Sequence, residues 1–195
     1  MTSSTVMSYE DRLAGFDWSL AERELGYREG DPINIGWYCT DRICAQGRAG
    51  TAALLWEDFS GAERTYTFDD LRVLSNTIAD YLRGLALAPG ERICLFMDRV
   101  PELYIGFLGI LKMGGVAQPL FSAFGPESLH TRLANAGTAA ILTQKKHVGK
   151  VRKILEQLPD LRHIIVVDAG QAPLQAREVS LALDALPRVE TFDSY

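Results

Sequence analysis

From residue 92 to 168 the sequence alternates short apolar runs with segments of helical periodicity, an order that few architectures accept. The runs at 92–97, 116–120, 138–143 and 163–168 are rich in β-favouring residues, and the segments at 103–113, 126–135 and 148–158 read as helices. Pro101 suits a first helical turn, and Gly114-Gly115 breaks that helix into the following strand, which makes a βαβ unit with a right-handed crossover. Ile164-Ile165-Val166-Val167 is apolar at every position, so its strand must be covered on both faces. The expected fold class is therefore α/β, a mostly parallel, doubly wound sheet with about five strands between 51 and 168.

Upstream of that alternation the pattern weakens. Thr67 and Asp70 form a capping box ahead of Leu71, Leu74, Ile78 and Leu82, which make one apolar stripe on a helix that Gly84 can end. Residues 51–56 suit a strand and 57–64 a turn. Over 34–46 a helix is expected, with Asn34 as N-cap, Gly47 as stop, and Ile35, Tyr38, Cys39 and Ile43 at helical spacing. Residues 2–32 are polar with scattered aromatics (Tyr9, Phe16, Trp18, Tyr27) and predict short helical pieces. The chain then divides into a helical extension, 1–50, and an α/β part, 51–195. Beyond Asp168 a surface loop is expected over 170–173 and a short helix near Leu181.

Composition closes off several classes of function. A net charge of −5 argues against nucleic-acid binding, which needs excess Lys and Arg to replace counterions. Cys39, Cys44 and Cys94 are odd in number and match no zinc-ligand spacing, so they predict reduced thiols and no metal site. Residues 1–11 lack the basic and apolar regions of a secretory signal, so a cytoplasmic protein is expected. The most apolar stretch, 100–120, carries Glu102, Lys112, Gly114-Gly115 and Pro119, which rules it out as a membrane span.

Seven short segments, in order, resemble a known family. They are 34–46 (NIGWYCTDRICAQ), 53–57 (ALLWE), 65–71 (TYTFDDL), 89–93 (PGERI) with 101–103 (PEL), 113–116 (MGGV) and 121–129 (FSAFGPESL). Together they resemble the early part of AMP-forming acetyl-CoA synthetases and related acyl-CoA ligases of the adenylate-forming superfamily. The resemblance implies a flavodoxin-like subdomain of a large N-terminal adenylation domain, preceded by a helical extension. It also implies a parent enzyme that uses ATP, Mg2+ and coenzyme A to activate a short carboxylate, acetate first, through an acyl-adenylate. Gln118-Pro119 stands where acetate-activating members often carry His-Ser. The family's Ser/Thr/Gly-rich loop ending in Pro-Lys-Gly has no match here, so the chain is expected to be truncated ahead of the ATP loop. On that expectation it supplies scaffold, carries no catalytic residue and is not catalytic by itself. The alternative from another class is a stand-alone, non-catalytic flavodoxin-like binding or interaction module.

One basic cluster stands out in an otherwise acidic chain: Lys145, Lys146, His147, Lys150, Arg152 and Lys153. The resemblance places a segment that contacts the nucleotide end of coenzyme A at about this position, which makes Lys146 and Lys150 candidate partners for a CoA phosphate. A solvated helix face is the other reading. His130 and His163 have no ligand or triad partner at a telling spacing. Asp98 and Glu102 flank the start of the helix near 100, where carboxylates complement a helix dipole. Strands apolar on both faces, with few helices to cover them, predict an exposed apolar face and self-association.

Overall fold

The computed structural model describes residues 8–168, 170, 177–182 and 185–193. The chain divides into two compact units, Met1–Ile33 and Asn34–Tyr195. In the first, α1 (Tyr9–Ala14) is capped by the Ser8 side chain and α2 (Trp18–Leu25) by Asp17, and Gly26 in the left-handed region ends α2. These are the short helical pieces that the polar, aromatic-spotted sequence predicts.

The boundary falls at 33/34 rather than at 50 because residues 34–48 pack on the second unit. They form α3 (Ile35–Cys39), α4 (Asp41–Ile43) and a π-turn (Cys44–Arg48). Asn34 caps α3 by accepting from the Trp37 N–H at 3.1 Å, and its amide donates to the carbonyls of Leu111 and Lys112 at 3.0 and 3.1 Å. The residues that turn inward are not those at apolar helical spacing: Gly36 and Thr40 are buried, whereas Ile35 is 56% exposed. The cause is close backbone approach, since a Cβ on Gly36 would lie 2.7 Å from the Leu108 carbonyl. Contact at that distance overrides the apolar spacing.

Next come β1 (Ala52–Glu57) and β2 (Glu63–Thr67), an antiparallel hairpin. The second strand escapes a hydrophobicity reading because Glu63, Arg64 and Thr65 are exposed. The Asp58 carboxylate closes the turn by accepting from the N–H groups of Ser60 and Ala62 at 2.7 and 3.0 Å. The expected capping box then opens α5 (Phe68–Gly84), whose Leu71, Ile78 and Leu82 are buried.

The parallel sheet follows: β3 (Arg92–Phe96), α6 (Pro101–Lys112), β4 (Val116–Pro119), α7 (Pro126–Ala136), β5 (Ala140–Thr143), α8 (Lys145–Arg152), β6 (His163–Val166) and β7 (Glu178–Ser180). Strand order is β4-β3-β5-β6-β7, parallel throughout. Alternate residues feed two cores. Ile93, Leu95, Leu142 and Ile165 meet Ile78 of α5 and Ile105 of α6, while Cys94, Phe96, Ile141 and Ile164 meet Leu129 of α7 and Val151 of α8. The sheet is thus doubly wound, as expected from its two-sided apolar strands.

Three local expectations need correction. Residues 51–168 hold six strands, two of them in the hairpin, and the fifth parallel strand, β7, lies beyond that range. The helix expected over 148–158 starts at Lys145 and ends at Arg152, followed by a 3-10 turn, Leu155–Gln157. Its start is set by Asp168, whose carboxylate accepts from the Lys145 N–H at 2.5 Å. The helical turn expected near Leu181 is a 3-10 turn at Ala185, whose N–H donates to the Ala182 carbonyl at 2.9 Å, while β7 pairs with β6 and Leu181 is buried directly after it. Pairing with an existing strand edge outweighs weak local propensity. The loop expected over 170–173 lies, Gly170 apart, outside the described residues.

Candidate functional site

In the order β4-β3-β5-β6-β7, the chain leaves β3 toward one edge of the sheet and returns to place β5 on the other side of β3. The connections after β3 and β5 therefore run to opposite faces: α6 packs in the first core and α8 in the second. Such a reversal opens a crevice beyond the carboxyl ends of the two strands, where ligands bind in open α/β sheets. At these strand ends Asp98 after β3 meets Gln144, Lys146 and His147 after β5, and Lys150 reaches the Ser122 backbone after β4.

Asp98 is the hub of this group. One carboxylate oxygen is 2.9 Å from His147 Nε2 and the other pairs with the Lys146 ammonium. Hydrogen bonding from Lys146, then from Ser122 and His147, holds the Asp98 carboxyl well below the usual carboxylate range. The Asp98 backbone N–H donates to Gln144 Oε1 at 2.9 Å, which ties the two strand-end loops together. Beneath them the His147 and Phe96 rings stack at a tilt, 5.4 Å between centroids. Lys150 donates to the Ser122 carbonyl at 2.8 Å, and its ammonium lies 5.5 Å from the centre of the Phe96 ring.

The basic cluster of the sequence is thus divided. Lys146 and Lys150, four residues apart on α8, share a face and both reach the crevice. Arg152 turns away and grips Glu178 of β7 with two bonds of 2.6 and 2.9 Å. Asp98, which the sequence assigns to the α6 dipole, is directed instead to the first turn of α8. Glu102 stays in the first turn of α6. His130 lies within α7, and His163 opens β6 at the end of the sheet opposite the crevice.

Sequence reasoning missed Asp98, Ser122 and Gln144 as a unit. Each follows a strand, but only the strand order reveals that those strand ends adjoin. Among the described residues no three His, Cys, Asp or Glu side chains converge to hold a metal ion. No helix among them is long and apolar enough to cross a membrane. Away from the crevice, an open apolar concavity of about 350 Å3 is lined by Leu54, Leu71, Leu95, Leu103, Phe107 and Pro119.

The chain as a whole is similar to known proteins. The family model described as AMP-binding enzyme matches residues 42–191. An acetyl-coenzyme A synthetase of Bacillus subtilis (strain 168) is 32% identical over 168 residues, covering 86% of this chain and 29% of that protein. A 3-hydroxypropionyl-coenzyme A synthetase of Sulfurisphaera tokodaii is 28% identical over 148 residues, 75% of this chain and 22% of that protein. Among solved structures, an acyl-CoA synthetase of Brucella canis superposes with a TM-score of 0.81 at 25% identity, covering 93% of this chain and 33% of that one. The chain therefore spans less than a third of the curated relatives' length.

Proposed function

The chain belongs to the AMP-binding enzyme family, and on that premise we propose that it forms the first α/β part of an AMP-forming acyl-CoA ligase. The ligase would activate a short carboxylate with ATP and pass the acyl group to coenzyme A. The relatives' names support the reaction class, and they name two acyl groups, acetyl and 3-hydroxypropionyl. Acetate is the leading substrate. The parent ligase would also use magnesium, which carboxylates and substrate phosphates hold together, and no step is assigned to that ion on the residues of this chain.

The observation that carries a role for this chain is the convergence of Lys146 and Lys150 at the switch-point crevice. We assign them to a phosphate at the nucleotide end of coenzyme A. Two ammonium groups on one helix face attract a phosphate, and Lys146, with 56% of its side chain exposed, is open to solvent. The residues of this chain would bind and orient the thiol carrier, leaving the chemistry of adenylation to groups outside it. A non-catalytic flavodoxin-like module remains the alternative, and no observation favours it.

Two measurements test the proposal. The product of the full reading frame, given ATP, acetate and hydroxylamine, should form acetyl hydroxamate above a no-protein control; none from acetate or 3-hydroxypropionate refutes the reaction. In calorimetric titrations, Lys146→Ala and Lys150→Ala should each weaken coenzyme A about tenfold, the effect of losing one charged contact. Binding of dephospho-coenzyme A should be untouched if the contact is to the 3′-phosphate. Unchanged affinity for both ligands would remove the two lysines from the site.

A further inference from the structure

The Asp98 carboxylate stands where a bound anion would. An ammonium (Lys146) and an imidazole nitrogen (His147 Nε2 at 2.9 Å) converge on its two oxygens from the first turn of α8, and the Ser122 hydroxyl, on the connection after β4, helps keep it ionised. These are the donor types that hold phosphate oxygens. The group is also open on the Lys146 side: the side chains of Lys146 and Asp98 are 56% and 39% exposed, so an anion from solvent can reach Lys146, with His147, 12% exposed, behind Asp98. Because its three partners keep it ionised far into the acid range, Asp98 does not leave by taking up a proton. Of the neighbouring charges, Lys150 is turned to the Ser122 carbonyl, and Asp168 to the start of α8. Asp98 is thus the carboxylate that Lys146 and His147 face.

We infer that Asp98 is a resident counter-anion that competes with the incoming phosphate for Lys146 and His147, and so sets the affinity of the crevice. The inference rests on the reading that this crevice receives a phosphate-bearing ligand. An arriving phosphate meets a repelling carboxylate and must break its ion pair before using the same donors. Asp98 holds the loops after β3 and β5 together when the site is empty, and it weakens the complex once the site is filled. Binding that is readily reversed suits a carrier that must leave after each turnover.

The test removes the charge and keeps the shape. Binding of adenosine 3′,5′-bisphosphate and of inorganic phosphate is measured by calorimetry at one ionic strength for the wild type, Asp98→Asn and Asp98→Asn/Lys146→Met. Asp98→Asn should bind the bisphosphate about tenfold or more tightly, as expected when a like charge leaves a polar site. The double variant should return the gain. Equal or weaker binding by Asp98→Asn overturns the inference, even if Lys146→Ala still weakens coenzyme A, in which case the ligand reading survives alone. If Asp98→Asn gains only for inorganic phosphate and coenzyme A binds no variant, the counter-anion role stands and the ligand reading falls. Asp98→Ser, which also removes the charge, provides the same comparison should circular dichroism show that Asp98→Asn is unfolded.

Discussion

The close approach of α6 to α5 makes a prediction whose sign depends on magnitudes. Gly109 lies in α6 where it meets α5, and a Cβ built there would stand 2.5 Å from Ile78 Cγ2, 2.6 Å from Ile78 Cβ and 3.0 Å from the Ser75 carbonyl oxygen. In an open helix Gly→Ala stabilises by about 1 kcal/mol, because glycine loses more backbone entropy on folding. Here Ile78 is buried and β-branched, with one strongly preferred rotamer, so it cannot swing aside. The helices must part instead, and overpacking of this kind costs about 1–3 kcal/mol, more when the obstacle is rigid. The net effect of Gly109→Ala should be a loss of about 1–2 kcal/mol, or a fall in Tm of about 2–8 °C for a chain of this size. Gly149 provides the control, since it lies inside α8 with nothing within 4 Å of its would-be Cβ. Gly149→Ala should gain about 0.5–1 kcal/mol. Thermal melts and urea titrations of both variants measure the difference. If Gly109→Ala is as stable as Gly149→Ala, the close approach of α5 and α6 does not hold this fold together.

Three further outcomes follow from other parts of the structure. Lys112 is fully buried, paired with Asp41 at 2.6 Å and bonded to Asn76 Oδ1 at 2.6 Å, and desolvation pushes its pKa down. Asp41→Asn strands that cation and should cost about 3 kcal/mol in urea titration. Lys112→Met removes the charge as well and should cost less; the reverse order refutes the ion-pair account. The Thr67 hydroxyl and N–H hold the Asp70 carboxyl below its ordinary value. Its stabilisation is therefore present above about pH 4 and is lost as pH falls through the native pKa, so Asp70→Asn should flatten the acid limb of a stability-versus-pH curve. An unchanged limb would show that the cap is not linked to protonation. Tyr104, Phe107 and Val116 are exposed beside the edge strand β4, so light scattering should show mass falling on dilution, and Phe107→Glu should favour the monomer. A monomer at every concentration refutes self-association through this face.

Local chemistry wrote several elements into the sequence plainly. Thr67 with Asp70 marked the start of α5, Pro101 the start of α6, and the unbroken apolar run at 164–167 required a sheet covered on both sides. These signals act over a few residues, through hydrogen bonds and side-chain periodicity, so they survive without knowledge of the rest of the chain. Other features took their form only from distant partners. Gly36 rather than Ile35 faces inward because the backbone of α6 lies against it, and residues 178–180 became a strand because β6 offered an unpaired edge. The crevice belongs to this second kind. Lys146 and Lys150 could be singled out by charge and spacing alone, but Asp98, 48 and more residues away, joins them only because β5 lies beside β3. Strand order is a long-range property decided by how two cores are filled at once, and no local run of residues encodes it.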